Sequence, residues 1–141
     1  MPIRSADATW NGTLKDGDGS FATQSGAVSG AYSFSTRFED GSGTNPEELV
    51  AAAHASCFSM ALSNELAKAG HEPQSVTTSA KVVLEKGDTG FGISRIDLVT
   101  TATVAGIDDE AFQELATATS KACPISKALA AVEITLSASL A

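Results

Sequence analysis

Chemistry in this chain would start from its two cysteines, Cys57 and Cys123. A thiolate is the strongest nucleophile and the softest ligand a side chain offers. Each cysteine also has a packing role open to it. Cys57 stands in an uncharged, alanine-rich stretch, where free cysteine is an ordinary small core residue. Cys123 precedes Pro124, which places it at the cap of a short helix, where backbone N–H groups favour a thiolate; a plain helix cap is the other reading. Their separation matches no local motif such as C-x-x-C, so spacing alone leaves a pairing open. His54 lies three residues before Cys57 on the same helical face. A zinc site needs three or four ligands, and only Cys123 and His71 remain as soft partners, so no metal is expected. A His54 that hydrogen-bonds a neighbour is expected instead, with His71 exposed past the helix end. The stretch Asp16-Gly-Asp-Gly19 fails as a calcium loop, because Phe21 and Ala27 occupy the positions of its glycine and closing glutamate. No serine–histidine–acid motif and no phosphate-binding glycine loop is present.

The bulk composition narrows the setting. A chain of 141 residues with 43% apolar content suits one domain, 1–141, with a proper core. A net charge of −8 argues against nucleic acid and against an anionic membrane surface. Met1 to Trp10 has no apolar leader core, and the apolar stretch Leu49 to Leu62 is shorter than the ~18 residues of a membrane span. Two cysteines are too few for a disulfide-stapled secreted domain. A reducing, cytoplasmic setting is therefore expected, and there a cysteine pair is chemical more often than structural.

The elements that must position these residues follow from periodicity. Ala6, Ala8 and Trp10 alternate with polar residues, Lys15 to Gly19 reads as a turn, and Phe21 to Thr23 as a second strand. Tyr32, Phe34, Thr36 and Phe38 alternate with Ser33, Ser35 and Arg37, which predicts a half-buried strand with Arg37 on its polar face. A Gly/Ser loop precedes Asn45-Pro46-Glu47-Glu48, a helix start in which Asn45 caps, Pro46 fills the first position and Glu48 can reach back to the cap amide. Glu47 and Glu48 suit the helix dipole. The helix runs to about Lys68 and ends at Gly70. Its middle is apolar nearly all round, so it should be buried on most sides. Its small residues Ala51, Ala52, Ala53, Ala55 and Ser56 predict a dimer with this helix near its centre. A hairpin follows, Val76 to Leu84 and Ile96 to Val104 about a Gly87–Gly90 turn. A helix from Asp108 buries Phe112, Leu115, Ala116 and Thr119. Pro124 opens a short helix, and Val132 to Leu140 forms the last strand. The order β-β-β-α-β-β-α-β predicts an α+β fold with mostly antiparallel strands.

Together these residues resemble a known signature. Gly43-Thr-Asn-Pro-Glu47-Glu-Leu-Val50, then His54-Ala-Ser-Cys57-Phe-Ser-Met-Ala-Leu62, is similar to the signature of the OsmC/Ohr family. Ala122-Cys123-Pro-Ile-Ser126, Thr36-Arg37-Phe-Glu39, Trp10-Asn-Gly12 and Gly90-Phe91 extend the likeness along the chain. The arginine just upstream of the helix resembles the OsmC branch more than the Ohr branch. The resemblance implies an intertwined homodimer that reduces organic hydroperoxides without a cofactor. It makes Cys57 the peroxidatic and Cys123 the resolving cysteine, with Arg37 and Glu47 as the active-site arginine and glutamate. It also implies a dithiol reductant, often a lipoyl group on a protein.

Given those roles, a cysteine in an apolar helix should have a raised pKa, and Arg37, held by Glu47 through a bidentate pair, is the group to offset it. Glu47 and Cys57 are ten positions apart, or about 15 Å along a straight helix. Arg37 and Glu47 are therefore expected to act on Cys57 of the partner chain; a bend in the helix is the alternative. Two other readings share these residues: a non-enzymatic, stress-induced dimer that binds a small ligand, and a thiol redox sensor without turnover.

Overall fold

The structure is a computed structural model that describes residues 1–141, and these form two compact units, Met1–Leu49 and Val50–Ala141. The first unit is an antiparallel meander of β1 (Ala6–Asn11), β2 (Asp18–Thr23) and β3 (Ser29–Ser33). Trp10 pairs with Gly19, and Gly19 pairs with Tyr32. A Cβ on Gly19 would meet the Tyr32 ring at 2.5 Å, so glycine is what lets Trp10 and Tyr32 close over this position, ring centroids 5.5 Å apart.

The strand expected over Tyr32 to Phe38 is corrected. Strand β3 stops at Ser33, and Phe34–Phe38 is a short helix, α1. Ser33 and Thr36 form a reciprocal capping box. The Thr36 N–H donates to Ser33 Oγ at 3.3 Å, and the Ser33 N–H donates to Thr36 Oγ1 at 2.9 Å. Phe34 and Phe38 are four residues apart, so the alternating pattern also fits one turn of helix; their rings stack at 4.9 Å.

Helix α2 (Pro46–Lys68) runs unbroken for 23 residues. Asn45 caps it, its Oδ1 accepting the Glu48 N–H at 2.9 Å. The expected return bond from Glu48 to the cap amide does not form; Glu48 instead accepts the Thr44 hydroxyl at 2.5 Å. The C-terminus closes at Gly70, φ 90°, with the His71 N–H donating to Leu66 O.

The second unit holds the remainder of α2, the hairpin β4 (Pro73–Gly87) and β5 (Gly90–Val104), α3 (Asp109–Ala122), α4 (Pro124–Ala128) and β6 (Glu133–Leu140). Sheet order is β4-β5-β6. The hairpin is antiparallel, whereas β6 lies parallel to β5, because α3 and α4 carry the chain across between them. The predicted faces hold: Ile96, Leu98, Thr100 and Ala102 point into a core shared with Phe58, Leu62, Leu66, Phe112 and Ala116. Within one chain α2 is buried on one side only. His54, Phe58, Leu62 and Leu66 are fully covered, while Ala52, Ser56 and Met60 form an exposed stripe, with Met60 at 76%. No helix is long and apolar enough to cross a membrane.

Candidate active site

The first unit positions Arg37 and Glu47. Arg37 sits in the last turn of α1 and Glu47 in the first turn of α2. The Asn45 side chain ties the two segments by donating to Thr36 O at 2.9 Å. The guanidinium Nε donates to both carboxylate oxygens at 3.2 Å, and Nη2 donates to Oε1 at 2.7 Å. This is the expected bidentate pair. The Arg37 guanidinium carbon also lies 5.3 Å from the centre of the Phe38 ring. Arg37 opens into a groove of about 430 Å³ walled by Trp10, Tyr32, Phe34 and Phe38. It therefore presents a fixed positive charge, within aromatic walls, to whatever enters.

The second unit positions the cysteines. Cys57 is half-buried on α2, and Cys123 is buried between α3 and α4; both are free thiols. The structure brings them together: Cys57 packs against the core that holds Cys123, near enough for the two thiols and the Ile125 backbone to influence one another. Burial pushes the Cys57 pKa up, the nearby Ile125 backbone opposes the rise, and the neighbouring Cys123 thiol adds to it. Cys123 caps α4, accepting the Ser126 N–H at 3.3 Å, with its Sγ 3.0 Å from Ser126 Oγ. The short helix that Pro124 opens is what presents Ser126 to it.

His54 meets the expectation of a hydrogen-bonded buried histidine. Its Nε2 lies 2.7 Å from Ser126 Oγ, and burial lowers its pKa. Ser126 is the residue that sequence reasoning missed. Its position three residues after a capping Cys123 was a usable signal, since that spacing returns a side chain to the cap. The four predicted site residues thus fall into two pairs, Arg37–Glu47 in the first unit and Cys57–Cys123 in the second.

A pair of neighbouring free thiols on such a scaffold has known counterparts. The family model for OsmC-like proteins matches residues 39–137. The chain belongs to the OsmC family. It is 47% identical over 134 residues to peroxiredoxin OsmC of Escherichia coli, covering 94% of this chain and 93% of that one. It is 36% identical over 91 residues to the organic hydroperoxide resistance protein OhrB of Bacillus subtilis, covering 64% of this chain and 65% of that one. The crystal structure of that OhrB superposes with a TM-score of 0.75 at 28% identity, covering 95% of this chain and 97% of the other. An OsmC-like protein of Vibrio cholerae shares the fold, with a TM-score of 0.76 at 19% identity, covering 98% and 99%. The OsmC chain described here is accordingly a peroxiredoxin-type cysteine peroxidase, and its α+β architecture is that of the OsmC and Ohr structures.

Proposed function

We propose that this protein reduces organic hydroperoxides to alcohols through a Cys57–Cys123 disulfide. The observation that carries the reading is that two free thiols, one half-buried and one buried, are neighbours in one core, near enough to influence each other's ionisation. The Cys57 thiolate attacks the peroxide oxygen distal to the alkyl group. The O–O bond breaks, an alcohol leaves with a proton, and Cys57 becomes a sulfenic acid. Cys123 condenses with it to the disulfide and releases water. A dithiol, such as a lipoyl group on a protein, then exchanges with the disulfide and restores both thiols. A cytoplasmic location suits this need for a reductant.

Burial opposes the Cys57 thiolate, so the cycle needs a positive charge beside it. Arg37 is permanently charged and held by Glu47. Helix α2 has no break between Glu47 and Cys57, so the two stand about 15 Å apart along its axis. The pair therefore serves Cys57 of a second chain in a homodimer. The exposed stripe Ala52, Ser56 and Met60 supports such a dimer, because the small Ala52 and Ser56 let a second helix approach closely and Met60 offers it apolar surface to bury. The aromatic groove at Arg37 supports an organic rather than a fully hydrated peroxide.

The test is intact-mass analysis after one equivalent of cumene hydroperoxide. The expected product has lost two hydrogens and yields a Cys57 peptide linked to a Cys123 peptide. A protein that stays reduced, or gains oxygen at scattered sites, overturns the reading.

A further inference from the structure

The Cys123 sulfur sits in a closed set of buried polar groups. Cys123, Ser126 and His54 are 1%, 3% and 0% exposed. Ser126 Oγ bridges the other two, 3.0 Å from Cys123 Sγ and 2.7 Å from His54 Nε2. The direction of these bonds follows from the one atom left out. His54 Nδ1 is buried without a partner. A neutral imidazole has one donor and one acceptor nitrogen. A buried N–H without an acceptor is the rarer, costlier orphan, so the ring proton belongs on Nε2. His54 Nε2–H then donates to Ser126 Oγ. The Ser126 hydroxyl hydrogen is directed at its other neighbour, Cys123 Sγ. Burial, which lowers the His54 pKa, keeps the ring in this neutral form. Cys123 Sγ thus faces two donors from one residue, the Ser126 hydroxyl and the Ser126 N–H at 3.3 Å.

We propose that Ser126, oriented by His54, activates Cys123 as the nucleophile that resolves the Cys57 sulfenic acid. The inference deepens the peroxidase cycle proposed above and rests on it. In the resolving step the Cys123 S–H bond breaks and its proton goes to the oxygen of the Cys57 sulfenic acid. The electron pair on Cys123 Sγ forms the S–S bond, the Cys57 S–O bond breaks, and water leaves. Negative charge builds on Cys123 Sγ as the proton departs, at a residue only 1% exposed and so shielded from bulk solvent. Fixed donors aimed at that sulfur stabilise the charge with no reorganisation. Ser126 touches the reacting sulfur and is a catalytic residue for this step. His54 acts through Ser126 and is a positioning residue.

The step competes with a second oxidation. A sulfenic acid that is not resolved is carried by excess peroxide to a sulfinic acid. The partition between the two products therefore measures closure, whatever the rate of the first oxidation. The enzyme is mixed with a series of cumene hydroperoxide excesses, quenched, and weighed intact. Wild type is expected to end as the disulfide. Ser126→Ala is expected to close the disulfide about tenfold more slowly, from loss of a hydrogen bond to a charged group, and to accumulate Cys57 sulfinic acid. Ser126→Thr keeps the hydroxyl, and His54→Gln can keep an N–H near the position of Nε2; both should restore closure, while His54→Leu should not. A general loss of packing would not be rescued in this pattern. If wild type and Ser126→Ala partition alike at every excess, the activation of Cys123 is overturned while the peroxidase cycle stands. If wild type forms no disulfide at all, both are overturned.

Discussion

Arg37 is held by Glu47 through three hydrogen bonds, the shortest 2.7 Å, with the Glu47 side chain 90% shielded and the Arg37 side chain 35% exposed. The charge that is accessible is the cation; the anion serves to aim it. Removing Glu47 should therefore free Arg37 without removing its charge. Glu47→Gln keeps the shape and weakens the fork, and Glu47→Ala abolishes it. Steady-state assays with cumene hydroperoxide should show kcat/KM falling by about tenfold for the glutamine variant, the size expected when one charge-assisted bond is lost. The alanine variant should fall further. Unchanged kcat/KM in both would separate this pair from the chemistry.

Arg37 itself is tested through the titration of Cys57. Burial raises the Cys57 pKa, and in the proposed dimer the guanidinium opposes that rise. Without Arg37 the thiolate forms only at higher pH. In a Cys123→Ser background, the pH profile of Cys57 alkylation by iodoacetamide should move upward in Arg37→Ala, with a slower reaction at pH 7. Arg37→Lys should recover little, because an ammonium cannot make the same planar fork with Glu47. Superposable profiles would remove Arg37 from the site.

How the pairs are shared between chains can be read from a mixed dimer. One chain carries Cys57→Ser and the other Glu47→Ala. If each Cys57 is served by the partner's pair, one of the two sites keeps both groups and the other loses both, leaving about half of wild-type activity. If each chain serves its own cysteine, both sites are broken and activity is near zero. The unbroken run of α2 from Pro46 to Lys68 favours the first outcome.

Ser33 shows where the sequence was legible and where it was not. The long elements were readable because many residues agree on each. The cap and glycine stop of α2, the alternating faces of β5, and the stripe of Phe112, Ala116 and Thr119 on α3 all stand as predicted. The segment 34–38 misled because five residues satisfy a strand and a single helical turn equally well; the capping box between Ser33 and Thr36 decides it. The parallel pairing of β6 with β5 is a property of topology and leaves no mark on the strand itself. At the site, residue types and spacing pointed to Cys57, Cys123, Arg37 and Glu47 only through the family signature. The bridging role of Ser126 depends on His54, which is 72 positions away in sequence. Ser33→Ala should lower stability by about 1 kcal/mol through the lost cap and loosen α1. The measurable consequence is a lower urea midpoint together with a reduced kcat/KM, as Arg37 loses its anchorage. A stability loss with full activity would mean that α1 does not set the position of Arg37.

His54 gives a prediction about pH and stability that is independent of peroxide. Its pKa in the folded chain is lowered from 6.5 because the ring is buried. Below that unfolded value the unfolded chain binds a proton that the folded chain does not. Stability is therefore full above pH 6.5 and falls as the pH drops below it. Carboxylates such as Asp97, whose pKa is lowered from 3.8, contribute their own loss only at more acid pH. Urea midpoints measured between pH 7.5 and pH 5 should decline in wild type. His54→Gln, which has no titrating ring, should start from a lower stability at pH 7.5 and decline much less over the same range. Parallel declines in the two proteins would mean that the buried imidazole is not the group responsible, and would remove the support that its neutral form lends to the Ser126 hydrogen-bond directions.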